Sequence, residues 1–259
     1  MVKFDDNALP IFKYRSLGDK WGRGAAIDII LHNRMWWQSP RDFNDPFDCV
    51  PVFKLSGGLK ERRASVRKTV KKFMGSEPRW RRRQEVREAP LRPRHEVVQS
   101  MVEETNRWML NSAISCFSEI PDNHLMWSHY ADAHRGVCFC FRQVPVGPPL
   151  YFYRVQYATE RPVIEMNNEM GITEYMRLVL VKAADWSYER EMRMIDYRNP
   201  PGFRQFPPAM LTGVILGCRT SGDDEEFIRD LLGKRNPEIG VYRARLAEGK
   251  YGLDIIEAT

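Results

Sequence analysis

The sequence predicts an α+β protein: a mixed, mainly antiparallel sheet with flanking helices and a basic helical insertion. Three observations predict it. Apolar runs rich in β-branched and aromatic residues recur along the chain, some adjacent in sequence and others split by helical patterns, unlike a regular βαβ alternation. No Gly-x-Gly-x-x-Gly or P-loop glycine pattern follows any strand pattern, so no Rossmann or P-loop phosphate cradle is expected. The basic residues are concentrated: residues 59–94 hold fourteen Lys/Arg and four Glu, a local +10 in a chain whose net charge is +6. The remainder therefore sums to −4, and the basicity belongs to one segment.

In chain order, PIFKYRSL (10–17) predicts a first strand, AAIDIILHN (25–33) a short buried helix and MWWQS (35–39) a strand stopped by Pro40. RDFNDPFD (41–48) is a loop, because Asn44-Asp45-Pro46 joins backbone-bonding side chains to a fixed φ. Leu59, Val66, Val70, Phe73 and Met74 share one face of a helix over 59–74 with Lys and Arg opposite. Residues 76–94, with three prolines and a dense Arg run, read as a connection, and 96–110 as a second amphipathic helix. Together 59–110 form a helical insertion or subdomain within a single 1–259 domain. SAISCFS (112–118) predicts a strand, and Asp122 caps a helix over 123–133 that stops before Gly136. GVCFCFRQV (136–144) and YFYRVQYA (151–158) predict two strands around PVGPP, and 168–182 a helix. EMRMIDY (191–197) and LTGVILG (211–217) predict strands. Ser221 opens a helix ending near Gly233, and 240–246 with 251–258 close the sheet as a pair.

A chain of 259 residues, 43% hydrophobic and 12% aromatic, can bury a core without staples. No apolar run reaches the length of a membrane span, and the first ten residues carry acids and no apolar signal core, so no membrane partner and a cytoplasmic location are expected. The five cysteines lack any framework spacing, and Cys138 and Cys140 read as buried thiols on one strand face.

Five segments carry candidate chemistry. His124, His129 and His134 recur every five residues, about 140° apart on a helix, which does not make a metal-ligand pair, so no metal is expected. Trp127 and Tyr130 share a helical face, either packed in the core or lining a pocket. Glu189-x-Glu191 leads into a strand: the two carboxylates either stabilise charge on a sugar or join Arg190 and Arg193 in a surface ladder. Arg15 offers a planar fork for an oxyanion. Asp45 and Asp48 in FNDPFD read as turn residues or cation ligands. Arg79, Arg81, Arg82 and Arg83 around Trp80 read as a solvated face or a nucleic-acid contact, with charge for phosphates and a ring for a base.

KYRS, WWQSPRDFNDPFDC, CFSE, NHLMWSHYADAHRGVCFCF and KAADWSYEREMRMI follow one another in an order that resembles the bacterial domain-of-unknown-function family 2971, over roughly residues 10–220. That resemblance implies a bacterial cytosolic protein whose relatives occur in phage-defence contexts. More remotely, Arg15, then Ser118 or Tyr130, then Glu191 with Glu189, is similar in order to the ADP-ribosyltransferase folds. The middle element departs from them: it is a helical MWSHY, with no Ser-Thr-Ser strand. This likeness implies NAD as co-substrate. Arg15 would hold its phosphate or ribose, Tyr130 would stack on nicotinamide, Glu191 would stabilise the oxocarbenium-like state and Glu189 would orient the acceptor. Tyr14, Trp127, Ser118 and His129 complete the expected cofactor-binding set.

Three functions are therefore expected to compete. The first is an NAD-consuming transferase or glycohydrolase acting on a nucleic-acid or protein acceptor, as a defence or toxin-type effector. The second is a non-enzymatic nucleic-acid-binding or sensor protein using 59–94. The third is a metal-dependent hydrolase or nuclease using Asp45, Asp48, His129 and Glu189.

Overall fold

A computed structural model of the chain describes residues 10–54, 58–143, 150–165 and 171–258. The elements run β1 (Pro10–Arg15), α1 (Lys20–Ile30), β2 (Arg34–Trp37), β3 (Val52–Lys54), α2 (Leu59–Phe73), α3 (Arg79–Glu88), α4 (Arg94–Leu110), β4 (Ala113–Ser118), α5 (His124–Tyr130), β5 (Val137–Arg142), β6 (Phe152–Arg154), β7 (Gln156–Ala158), β8 (Val163–Glu165), α6 (Ile172–Val179), β9 (Val181–Ala183), β10 (Glu191–Asp196), β11 (Gly202–Gln205), β12 (Leu211–Leu216), α7 (Gly222–Gly233), β13 (Gly240–Leu246) and β14 (Leu253–Glu257). Eight strands form one sheet in the order β14-β13-β12-β5-β1-β4-β10-β6. Its pairs are antiparallel except β12 with β13, which run parallel. A parallel pair needs a crossover, and α7 supplies it. The fold is α+β with a mixed, mostly antiparallel sheet, as the strand pattern predicted, and β13–β14 close one edge as a pair.

Alternation along the central strands divides the core in two. Ile11, Phe139 and Phe141 face a cluster with Ile29 and Ile30 of α1 and Ile228 of α7. Phe12, Tyr14, Cys138 and Cys140 face the other side, where Trp127 of α5 and Ile215 pack. Because β5 is covered on both faces, its sequence is continuously apolar where a half-exposed strand would alternate. Cys138 and Cys140 are free, buried thiols on one face. A third cluster joins Met109 of α4 to Tyr175, Leu178 and Val179 of α6 against Ile195 of β10. Among the described residues no helix is long and apolar enough to cross a membrane.

Several boundaries differ from expectation for local reasons. The first helix starts at Lys20, because Asp19 accepts a hydrogen bond from the Gly22 amide. The 76–94 connection contains a helix, α3: Pro78, Pro90 and Pro93 stand at helix or turn starts, where a missing N–H is harmless. Asn123, in place of Asp122, caps α5 by accepting from the Leu125 and Met126 amides. That helix ends at Tyr130, and Asp132, Ala133 and His134 all adopt positive φ. YFYRVQYA breaks at Val155 into β6, which pairs with β10, and β7, which pairs with β9. The helix expected over 168–182 is α6, stopping at Val179 before β9; residues 166–170 lie outside the described ones.

Candidate functional site

Strands β1, β4 and β10 lie side by side in the sheet, with Phe12 and Glu191 both in register with Ser118. This alignment brings the end of β1, the start of β10, helix α5 and the FNDPFD turn around one cleft of about 130 Å³. Arg15, Tyr14, Ser118, Tyr130, Glu189 and Glu191 all line it, together with Lys13, Asn44, Asp48, Lys182 and Arg193.

The carboxylates are arranged differently from an alternating strand pair. Glu189 ends a 3-10 turn, Arg190 takes a left-handed conformation at φ 43°, and Glu191 begins β10. Arg190 points outward to Glu119, 3.4 Å away. Arg193 is fully buried, so the surface ladder does not form. Its guanidinium donates to Glu191 Oε1 at 2.7 Å, to Asp48 Oδ2 at 2.6 Å and to the Val179 carbonyl at 2.7 Å. Lys182 Nζ donates to Glu189 Oε2 and, at 3.2 Å, to Glu191 Oε2. Glu189 Oε1 accepts the Tyr130 hydroxyl at 2.5 Å, and that hydroxyl accepts from Asn44 Nδ2 at 3.2 Å.

Glu189 and Glu191 thus share Lys182, and two neighbouring carboxylates repel each other. Burial alone would raise the Glu191 pKa, but Arg193 and Lys182 pull it down to about 2. Burial raises the Glu189 pKa, and repulsion from Glu191 raises it further against the pull of Lys182 and Tyr130. The two neighbouring acids thus sit in different environments: Arg193 and Lys182 hold Glu191 ionised, whereas burial favours the protonated form of Glu189. Tyr130 is pushed well above its ordinary value by burial and the Glu189 charge, so it stays a hydroxyl donor.

The cations of the cleft also differ. Lys13 donates to Ser115 Oγ at 2.9 Å and to the Cys116 carbonyl at 2.8 Å. Burial, followed by the Arg15 charge, lowers its pKa well below the lysine value. Arg15 Nε is buried without a hydrogen-bond partner, and among the described residues its guanidinium has no carboxylate within ion-pair distance. Lys13, Lys182 and Arg193 thus have hydrogen-bond partners, and Arg15 Nε has none.

The remaining expected site residues are either engaged by neighbours or exposed at the surface. Trp127 is fully buried, its Nε1 donating to the Pro121 carbonyl at 2.7 Å and its ring edge-on to Tyr14, so no face is free to stack on a ligand. The Tyr14 hydroxyl is held by the Ile120 carbonyl at 2.7 Å, and Ser118 Oγ donates to the Glu189 carbonyl at 2.6 Å, fixing the turn that carries Glu189. His129 is exposed, beside the rings of Tyr130, Trp186 and Tyr188. Asp45 Oδ1 accepts the Phe47 amide at 2.8 Å in the turn. Asp48 and Glu189 line the cleft while Asp45 and His129 do not, and among the described residues no group of three or more His, Cys, Asp or Glu side chains is arranged to hold a metal ion. Arg79, Trp80, Arg81 and Arg83 are exposed on α3, whereas Arg82 is partly buried. Lys13, Asn44 and Lys182 were missed. For Lys182 the signal is a lysine closing the apolar run LVLVK, where a buried charge demands a partner.

No curated protein and no solved structure matches the chain. Residues 126–194, which contain Tyr130, Lys182, Glu189 and Glu191 of the cleft, are similar to the family described as protein of unknown function (DUF2971), whose model matches that stretch.

Proposed function

We propose that the cleft is an NAD-consuming active site, of transferase or glycohydrolase type, in which Glu189 is the working carboxylate and Arg15 the anion anchor. The observation that carries this reading is the unpaired guanidinium of Arg15 in the same small cleft as a carboxyl group whose pKa is raised. An unpaired arginine fork suits a phosphate or ribose oxygen. The carboxyl suits both charge stabilisation and proton transfer. About 130 Å³ takes a ring-sized group, so the reacting end of the dinucleotide enters and the remainder lies along the outer surface. In the reaction the bond from the ribose carbon to nicotinamide breaks, and its electron pair leaves with nicotinamide. A water or acceptor hydroxyl forms the new bond to that carbon and gives its proton to Glu189. Glu191 keeps Lys182 and Arg193 in place and does not touch the ribose. Such an activity suits a defence or toxin-type effector.

Nicotinamide release from NAD tests this. Wild type with nucleic-acid and protein acceptors present should release nicotinamide. Glu189→Gln should lower kcat about 100-fold or more, and Arg15→Ala should act mainly on KM. Background release by wild type under these conditions, or full activity in Glu189→Gln, would overturn the reading.

A second reading concerns α3. Trp80 is 66% exposed between basic side chains, a pairing of ring and charge that fits single-stranded nucleic acid, as acceptor or as partner.

A further inference from the structure

A second cavity, of about 380 Å³, lies between the turn after β2 and the last turns of α4. It is distinct in chemistry from the charged cleft. Phe43 and Phe53 line it from the turn side, and Val102 and Met109 from α4. Its size is within the range of small-molecule sites, about 300–1,000 Å³, and its mostly apolar lining is typical of them. One polar group stands out: Thr105, 6% exposed, lines the cavity, and its Oγ1 is buried without a hydrogen-bond partner. A helical threonine commonly returns its hydroxyl to the carbonyl of the preceding turn, and here it does not. A buried hydroxyl left unmade is costly, and a ligand atom in the cavity would relieve it.

We propose that this cavity binds a neutral, flat molecule of one or two fused rings, with a single hydrogen-bonding group that meets Thr105 Oγ1. Neutrality follows from the mostly apolar walls: Asp48 is already bound by Arg193, Asp45 Oδ1 accepts the Phe47 amide, and Arg41, the cation of the lining, is exposed, where water screens its charge. The site does not depend on the NAD reading, although its ligand would touch the reverse side of Phe43 and Asp48, which also line the charged cleft.

The test uses 1-aminonaphthalene, a neutral, flat two-ring probe whose emission shifts to the blue in apolar surroundings, with 1-naphthol and naphthalene as competitors. Wild type should bind the probe saturably at one site. Val102→Trp, which projects a ring into the cavity from a half-buried position, should weaken it at least tenfold with an unchanged circular dichroism spectrum. Val102→Phe gives the same readout should the larger ring impair folding. Thr105→Val should weaken 1-naphthol about five- to tenfold and leave naphthalene unchanged. Absence of saturable binding by wild type, unchanged binding in the filled variants, or equal loss of both competitors in Thr105→Val would each overturn the assignment.

Discussion

Arg193 has no exposed surface, and all three of its guanidinium nitrogens have partners in Glu191, Asp48 and the Val179 carbonyl. Removing one member of such a network leaves uncompensated charges in a dry site. Arg193→Met should therefore lower stability by about 3–5 kcal/mol, read as a shift of the urea midpoint. The same network sets a pH dependence. Glu191 is held at about 2 in the folded protein, against about 4.3 for an unfolded glutamate. A depressed folded pKa contributes stability that is complete above the unfolded value and is lost as pH falls through the folded one. Wild type should thus weaken between pH 4 and pH 2 more steeply than Glu191→Gln, and parallel curves would remove Glu191 as the fixed anion. Glu189, whose pKa is raised, acts in the opposite sense: its protonated form favours folding, and that contribution declines as pH rises through the folded value. Part of this site was legible from the sequence. Tyr130, Glu189 and Glu191 stand in distinctive segments, and Arg15 in a strand pattern. Their roles were not legible. Arg193 reaches Asp48 across 145 residues of chain, and no spacing rule announces such a partner. The split between Glu189 and Glu191 follows from that partner and from Lys182.

At the scale of elements, Arg15 depends on how α5 returns to the sheet. Three consecutive left-handed residues, Asp132 to His134, end the helix, and Gly136 then passes against the carbonyl of Arg15. A Cβ on Gly136 would stand 2.1 Å from that oxygen, inside any tolerable contact. Gly136→Ala must push β1 aside, so it should cost about 1–3 kcal/mol and weaken binding of an anion at Arg15 in the same measurement that detects Arg15→Ala. A variant as stable as wild type, with undiminished anion binding, would show that the turn does not position Arg15. The longer elements were readable because their patterns are long: the β5 run, the amphipathic faces of α2 and α4, and the capped α7 all follow their predicted extents closely. The strands β3, β8 and β9 are three residues each. Over three residues, alternation cannot be told from chance, and only pairing across the fold makes them strands. LVLVK shows the same limit: apolar in both periods, it ends α6 and begins β9 at one boundary.

Over the whole molecule the charge is segregated, with most of the excess on α2 and α3 and an acidic balance elsewhere. Segregation alone does not make a binding face, because solvated basic helices are common and several of these charges are matched. Arg81 pairs with Glu77, Arg87 with Glu88 and Arg92 with Glu85. Arg79 and Arg83, by contrast, are exposed and make no ion pair among the described residues, and Trp80 lies between them with its ring in solvent. This geometry separates two contributions that a charge count merges. If single-stranded nucleic acid binds here, affinity should fall with rising salt, because each neutralised phosphate releases a counterion. Changing Arg79 and Arg83 together to Gln should reduce the log–log salt slope by about 1.4. Trp80→Ala should weaken binding by about 1–3 kcal/mol while leaving the slope unchanged, because stacking on a base releases no counterions. Fluorescence anisotropy with a labelled oligonucleotide at several salt concentrations measures both quantities. Binding that ignores salt would dismiss the face altogether. A slope that is unmoved by the paired change, with Trp80→Ala also silent, would mean that α2 and α3 carry their charge for solubility and that any nucleic acid docks elsewhere.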